Sequence, residues 1–215
     1  MAPAQVLPLD ELVARARALA GDGPRQLLGI AGAPGAGKST LAERIVAEVG
    51  PAARLMPMDG FHLAQSELIR LGRDTRKGAP DTFDANGFVS TLRRLRRLEP
   101  TSVWAPAFRR DLEEPVAGAI EVPPEVRLVV TEGNYLLLRD DPWEEVGTLL
   151  HQVWFLDLDV ELRVRQLTAR HEAYGKTPEQ ARAWALGSDE ANARLVAGTA
   201  EHADLVVRLA DPLPG

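Results

Sequence analysis

Apolar residues follow two rhythms along the chain, and the alternation between them predicts its elements. Short continuous runs suited to buried strands occur at Leu27–Ala31, Arg54–Met58, Arg127–Gly133, Val153–Asp157 and Asp204–Leu209. Between them, apolar positions recur at helical spacing: Leu12, Ala16 and Leu19; residues 40 to 49; residues 65 to 71; Phe88, Leu92, Leu95 and Leu98; residues 159 to 174; and one helix from Pro178 to about Ala197. Asp84 precedes the fourth of these as its N-cap. Strand runs alternating with helices predict an α/β fold on a parallel sheet. Val103–Arg110 and the stretch around Ala119–Val122 read as extended pieces outside that sheet, either two edge strands or a hairpin.

The first run leads into Gly32-Ala33-Pro34-Gly35-Ala36-Gly37-Lys38-Ser39, with Thr40 opening the next helix. Gly, four residues, then Gly-Lys-Ser is a phosphate-binding pattern. Glycines let the backbone N–H groups turn inward onto phosphate oxygens, Lys38 supplies a charge for the β- and γ-phosphates, and Ser39 offers a hydroxyl to Mg²⁺. Two further runs end in acids, Asp59 and Glu132, at the carboxyl ends where parallel sheets bind ligands. Asp59 is placed to take a proton from a substrate hydroxyl, and Glu132 to sit near the metal. His62 fits either a substrate contact or a packed role. Asp81 and Lys77 have no ready structural role, and Arg73, Lys77, Arg109 and Arg110 fit either contacts to an anionic group such as a carboxylate or phosphate or plain exposure.

Composition narrows the picture. The 215 residues, 45% hydrophobic, suffice for one core, so residues 1–215 are expected to form a single domain. No apolar run approaches the roughly 20 residues that span a bilayer. Asp10 and Glu11 interrupt the first twenty residues, which argues against a secretory leader, and the chain has no cysteine, so a cytoplasmic protein is expected. A net charge of −6 speaks against general nucleic-acid binding. Arg93-Arg94-Leu95-Arg96-Arg97 is a local exception, read as a solvated helix face with a polyanion or subunit contact as the alternative. The four histidines show no metal-binding spacing, and the chain lacks both an Asn-Lys-x-Asp guanine-reading element and a Leu-Ser-Gly-Gly-Gln-type signature.

Met58-Asp59-Gly60-Phe61-His62, Ala79-Pro80-Asp81-Thr82-Phe83-Asp84, Thr131-Glu132-Gly133-Asn134-Tyr135 and the arginine helix after Asp157, in this order behind the phosphate loop, resemble the phosphoribulokinase/uridine kinase group of phosphate-loop kinases. The Asp-Gly-Phe element also resembles type I pantothenate kinase, and the arrangement is similar to bacterial nucleoside or fructose-transport kinases. The resemblance implies a three-layer P-loop sandwich whose five parallel strands run in the order 2-3-1-4-5, with a helical lid at about 159–176 and an acceptor-site insertion at about 72–122. It implies ATP and Mg²⁺ as cofactors and γ-phosphate transfer to a hydroxyl of a nucleoside, sugar or pantothenate-like metabolite. Asp59 would be the base, and Lys38, Arg163 and Arg170 would neutralise the transferring phosphoryl group. His62, Lys77, Asp81, Arg109 and Tyr135 would face the acceptor. His171 stands where uridine kinases tend to carry an acid, and Pro106–Arg110 does not match their pyrimidine-binding segment. The partner is expected to be a small molecule, with neither nucleic acid nor membrane; monomer and homodimer both fit. A nucleotide-dependent switch or slow hydrolase without an acceptor is the rival reading.

Overall fold

The computed structural model describes residues 3–173, 175 and 177–211; Tyr174 and Lys176, at the end of the expected lid, lie outside them. Eight strands and eight α-helices follow one another in the order β1 (Gln5–Leu7), α1 (Leu9–Leu19), β2 (Gln26–Ala31), α2 (Lys38–Val49), β3 (Ala53–Leu55), α3 (Gln65–Arg70), α4 (Ala85–Arg96), β4 (Val103–Arg109), β5 (Glu114–Val122), β6 (Leu128–Gly133), α5 (Glu144–Leu149), β7 (Gln152–Leu156), α6 (Val160–Ala173), α7 (Pro178–Leu186), α8 (Ser188–Ala197) and β8 (Leu205–Leu209). Six strands make one parallel sheet in the order β1-β8-β7-β2-β6-β3, and β4 and β5 form a separate antiparallel hairpin.

The five expected strands take the expected 2-3-1-4-5 order, and a sixth, β1, extends the sheet beyond them. Its three residues, with Pro8 directly after them, are too short a run to show a period. They become a strand only because β8 offers them an open edge, with Val6 opposite Arg208. The central strands are buried on both faces, as parallel strands between helices require. Leu28, Ile30, Val130 and Trp154 pack under α1 and α2, and Leu27, Val129, Val153 and Phe155 pack under α4 and α5.

Helix α4 buries Phe88, Leu92 and Leu95, each contributing about 1.5–3 kcal/mol. Its cap is Asp84, whose carboxylate accepts from the Gly87 N–H at 2.8 Å. Leu98, expected on the same stripe, is 47% exposed, because the helix has ended and the residue sits at φ 55°. Three arginines of the helix's polar face have partners within the chain: Arg93 pairs with Glu145, Arg94 with Glu99, and Arg96 donates to the carbonyls of Thr148 and Leu149. The helix expected from Pro178 to Ala197 is two helices. Gly187, at φ −97° and ψ −102°, turns the chain where a Cβ would meet the Ala183 carbonyl at 2.8 Å. Among the described residues no helix is long and apolar enough to cross a membrane.

Candidate active site

The carboxyl ends of three adjacent strands converge on one cleft. From β2 the chain enters the phosphate loop, where Gly35 and Gly37 sit at φ 80° and 90°, a region that glycine reaches without steric cost. A Cβ on Gly35 would also crowd the Arg163 carbonyl and Leu167 at 3.1 and 3.2 Å, so the loop is seated tightly beneath α6. Register places Glu132 opposite Ile30 and Gly133 opposite Ala31, bringing the acid of β6 beside the start of the loop. Beyond β3, Pro57 leads into a 3-10 turn, Met58–Phe61, that carries Asp59. The strand is shorter than expected, and the acid stands on the turn after it.

That turn is pinned from two sides. Thr131 Oγ1 donates to the Met56 carbonyl at 2.7 Å, tying β6 to the segment that delivers Asp59. On the other side Gly60 lies so close to the hairpin that an added Cβ would meet the Pro106 carbonyl at 2.2 Å. His62 closes the turn: its Nδ1 lies 2.9 Å from the Asp59 carbonyl, and a nitrogen facing a carbonyl carries the proton. Its ring is held between Phe83 and Phe108, with centroids 3.9 and 5.1 Å away. Burial lowers its pKa, outweighing the nearby Asp59 charge, and keeps the imidazole neutral.

The cleft encloses about 170 Å³. Pro34, Gly35, Lys38 and Ser39 line its floor beside Glu132, Gly133 and Asn134. Asp59, His62, Lys77, Gly78, Phe83 and Arg110 form one wall; Arg170, Asp189 and Asn192 form another. Lys38 donates to the Ala33 carbonyl at 3.0 Å and to Asn134 Oδ1 at 2.7 Å. Burial pulls its pKa down to about 8 despite the opposing charges of Glu132 and Asp59. Ser39 Oγ donates to Glu132 Oε1 at 2.9 Å. Burial raises the Glu132 pKa, and the neighbouring Asp59 carboxylate raises it further. A buried carboxyl, a half-buried one and a buried ammonium therefore share a small volume, an arrangement that polyphosphate and a cation would complement.

Other expected site residues lie elsewhere. Tyr135 is fully buried and donates its hydroxyl to the Gly78 carbonyl, packed against Phe83 and Trp143, so it supports the wall from behind. Asp81 pairs with Arg76 and Arg73 on the surface. Arg109 is engaged by Asp111 at 2.7 Å, and its neighbour Arg110, in the turn that follows β4, lines the cleft instead. Arg163 is 4% exposed, bonded to the Pro34 carbonyl at 3.3 Å and paired with Glu190, so it braces the phosphate loop against α8. Arg170, two turns on, lines the cleft. Asn134, Asp189 and Asn192 were not anticipated: Asn134 stands within the expected Glu132 motif, whereas no local pattern marks the two residues of α8. A separate cavity of about 210 Å³ lies at the amino ends of the strands, where His151 accepts from the Leu27 N–H and Asp204 from the Val153 N–H.

No family model matches the chain. A Schizosaccharomyces pombe protein described as a candidate uridine kinase is 35% identical over 178 residues, covering 77% of this chain and 74% of its own. A solved structure described as a candidate fructose transport system kinase from Silicibacter sp. TM1040 is 35% identical with a TM-score of 0.78, covering 96% of this chain and all of the other. YFH7 from Saccharomyces cerevisiae, described as a candidate P-loop kinase with a circular permutation, superposes with a TM-score of 0.83 over 96% of this chain and all of its own; at 18% identity it speaks for the fold alone.

Proposed function

Because the chain belongs to the uridine kinase-like family of P-loop kinases, we propose that it transfers the γ-phosphate of ATP to a hydroxyl of a small metabolite, with Asp59 as the base. The observation that carries this reading is the meeting, in one cleft, of the phosphate-loop Lys38, the Ser39–Glu132 pair and a carboxylate on a separately pinned turn. Asp59 takes the acceptor's proton as the acceptor oxygen forms its bond to phosphorus; the bond to the β-phosphate oxygen breaks and its electron pair leaves with ADP. The Nδ1–H of His62 holds the Asp59 backbone, which fixes the carboxylate on the acceptor side of the phosphate loop. Lys38 trades its present acceptors for phosphate oxygens, and Arg170 adds charge from above.

Ser39 and Glu132 fit Mg²⁺: they are hard oxygen donors 2.9 Å apart beside the phosphate loop. Among the described residues no group of three or more metal-ligating side chains occurs. That suits an ion which keeps several waters and takes its remaining ligands from phosphate. When bound, Mg²⁺ would neutralise charge on the β- and γ-phosphates. The test is Asp59→Asn, which keeps nucleotide binding and loses about 10²–10⁴-fold in kcat. Phosphorylated product, identified by mass, should depend on Asp59; undiminished turnover would remove it from the mechanism.

A further inference from the structure

We propose that the acceptor is a small hydroxylated anion, a polyol bearing a carboxylate or phosphate group, whose anionic end is held by Lys77 and Arg110. The inference rests on the kinase reading above and narrows it to a substrate class. Although the whole chain carries a net charge of −6, four cations face three carboxylates in the cleft. Two of the cations, Lys38 and Arg170, belong to the phosphate-loop side. The other two, Lys77 and Arg110, come from the loop and hairpin beside Asp59, Arg110 within electrostatic reach of Glu132 as well. Lys77 lies over the Phe108 ring at 5.2 Å and is held by Glu113: it donates to the Glu113 carbonyl at 2.8 Å, with the exposed Glu113 carboxylate 4.0 Å away, so an anion in the cleft would compete with a surface pair for the ammonium's remaining N–H groups. Arg110 follows β4 at the tip of the hairpin. Both stand on the wall that carries Asp59 and neutral His62, where the acceptor must lie if Asp59 is to reach its hydroxyl.

The same wall is poorly made for a nucleobase. A flat base needs an open aromatic face or a set of base-edge partners. Among the described residues the aromatic rings lining the cleft are His62 and Phe83, and they pack on each other at a tilt. The other neighbour of His62 is Phe108, which also carries Lys77, and Phe83 meets Tyr135 and Trp143 edge-on while only 7% exposed. The rings are spent on one another and on an ammonium. Opposite, Asp189 and Asn192 offer the acceptors and donors that hydroxyls need, Asn192 reaching the Gly78 carbonyl at 3.4 Å.

The experiment compares matched acceptors with Mg-ATP: a neutral polyol, the corresponding sugar acid, its phosphate monoester, and uridine. Turnover is followed by product mass, and binding of the acid and the ester by calorimetry in the presence of ADP. An anionic member should exceed the polyol and uridine about 100-fold in kcat/KM, and whether acid or ester wins decides between carboxylate and phosphate. Lys77→Gln and Arg110→Gln should each raise the acceptor KM about 10- to 100-fold and shrink that preference, as expected for a lost charge-assisted hydrogen bond, while Lys77→Arg restores it. Equal or better use of the polyol or uridine, or a preference that survives both substitutions, would overturn the anionic acceptor while leaving the kinase standing. Anions that bind through Lys77 and Arg110 without forming product would overturn the kinase reading instead. Absence of both binding and turnover of the anions would overturn the proposal.

Discussion

The two sides of the cleft are built differently. The phosphate-loop side rests on the centre of a parallel sheet: its lysine is 7% exposed, its glycines adopt left-handed backbone angles, and Glu132 is fixed to it by strand register. The opposite side hangs on a two-stranded hairpin and a loop of surface ion pairs, with Lys77 anchored only to Glu113 and a ring face. A rigid, buried side suits a ligand common to many kinases, and a peripheral side can change without disturbing the sheet. That difference predicts where substitutions will be costly.

The largest effect is expected at Lys38→Ala, which should cut kcat by about 10²–10³-fold, as removal of one preorganised donor does, and also weaken nucleotide binding. Titration with a fluorescent ATP analogue beside steady-state kinetics measures both; full activity would contradict the phosphate-loop assignment. Next, Arg163 and Arg170 separate bracing from charge. Arg163→Ala should lower stability by about 2–3 kcal/mol in denaturant unfolding, somewhat below the range for fully buried pairs because Glu190 keeps contact with water. Arg170→Ala should leave stability within about 0.5 kcal/mol and lower kcat. Reversed outcomes would exchange their roles.

Gly60→Ala probes the contact between hairpin and turn, and should cost about 1–3 kcal/mol with a fall in kcat, since the new methyl group strikes backbone. Gly23→Ala, which meets nothing within 4 Å, is the control and should change neither. The smallest effect is protonic. With a pKa of about 8 in the free protein, Lys38 is mostly charged at pH 7 and mostly neutral at pH 9. Bound phosphate favours the charged form, so nucleotide affinity should fall as pH rises through 8, and binding at pH 9 should take up close to one proton. Calorimetry in buffers of different ionisation enthalpy reads that number, and zero uptake at pH 9 would place the Lys38 pKa well above 8.

Legibility in the sequence followed the range of the interaction. The phosphate loop, the five strand runs and the Asp84 cap are contiguous patterns, and all stand in the folded protein near where the residues put them, although β3 stops at Leu55 instead of running to Met58. Asp59, Glu132 and His62 line the cleft because positions at or just after the ends of strand runs are local features with a known destination. Asp81, Arg109 and Tyr135 were read as facing the acceptor, yet one is claimed by Arg76 and Arg73, one by Asp111 and one by the aromatic cluster under Gly78. Which partner a polar side chain finds depends on neighbours supplied by other segments.

By itself, then, the sequence determined the strand runs, the phosphate-binding loop and the acids at or just after the ends of two of those runs, because hydrophobic period and glycine placement act over a few residues; the sheet order was implied only by the family resemblance. Only the tertiary structure decided that β1 joins the sheet edge, that Gly187 splits the last long helix, and that Arg110 rather than Arg109 reaches the cleft. It also brought Asp189 and Asn192 across from α8, more than a hundred residues from Lys77 and Gly78, to complete the same small volume. Those outcomes turn on packing between segments far apart in the chain, where one hydrogen bond or one side-chain contact selects among arrangements that local propensity leaves equal.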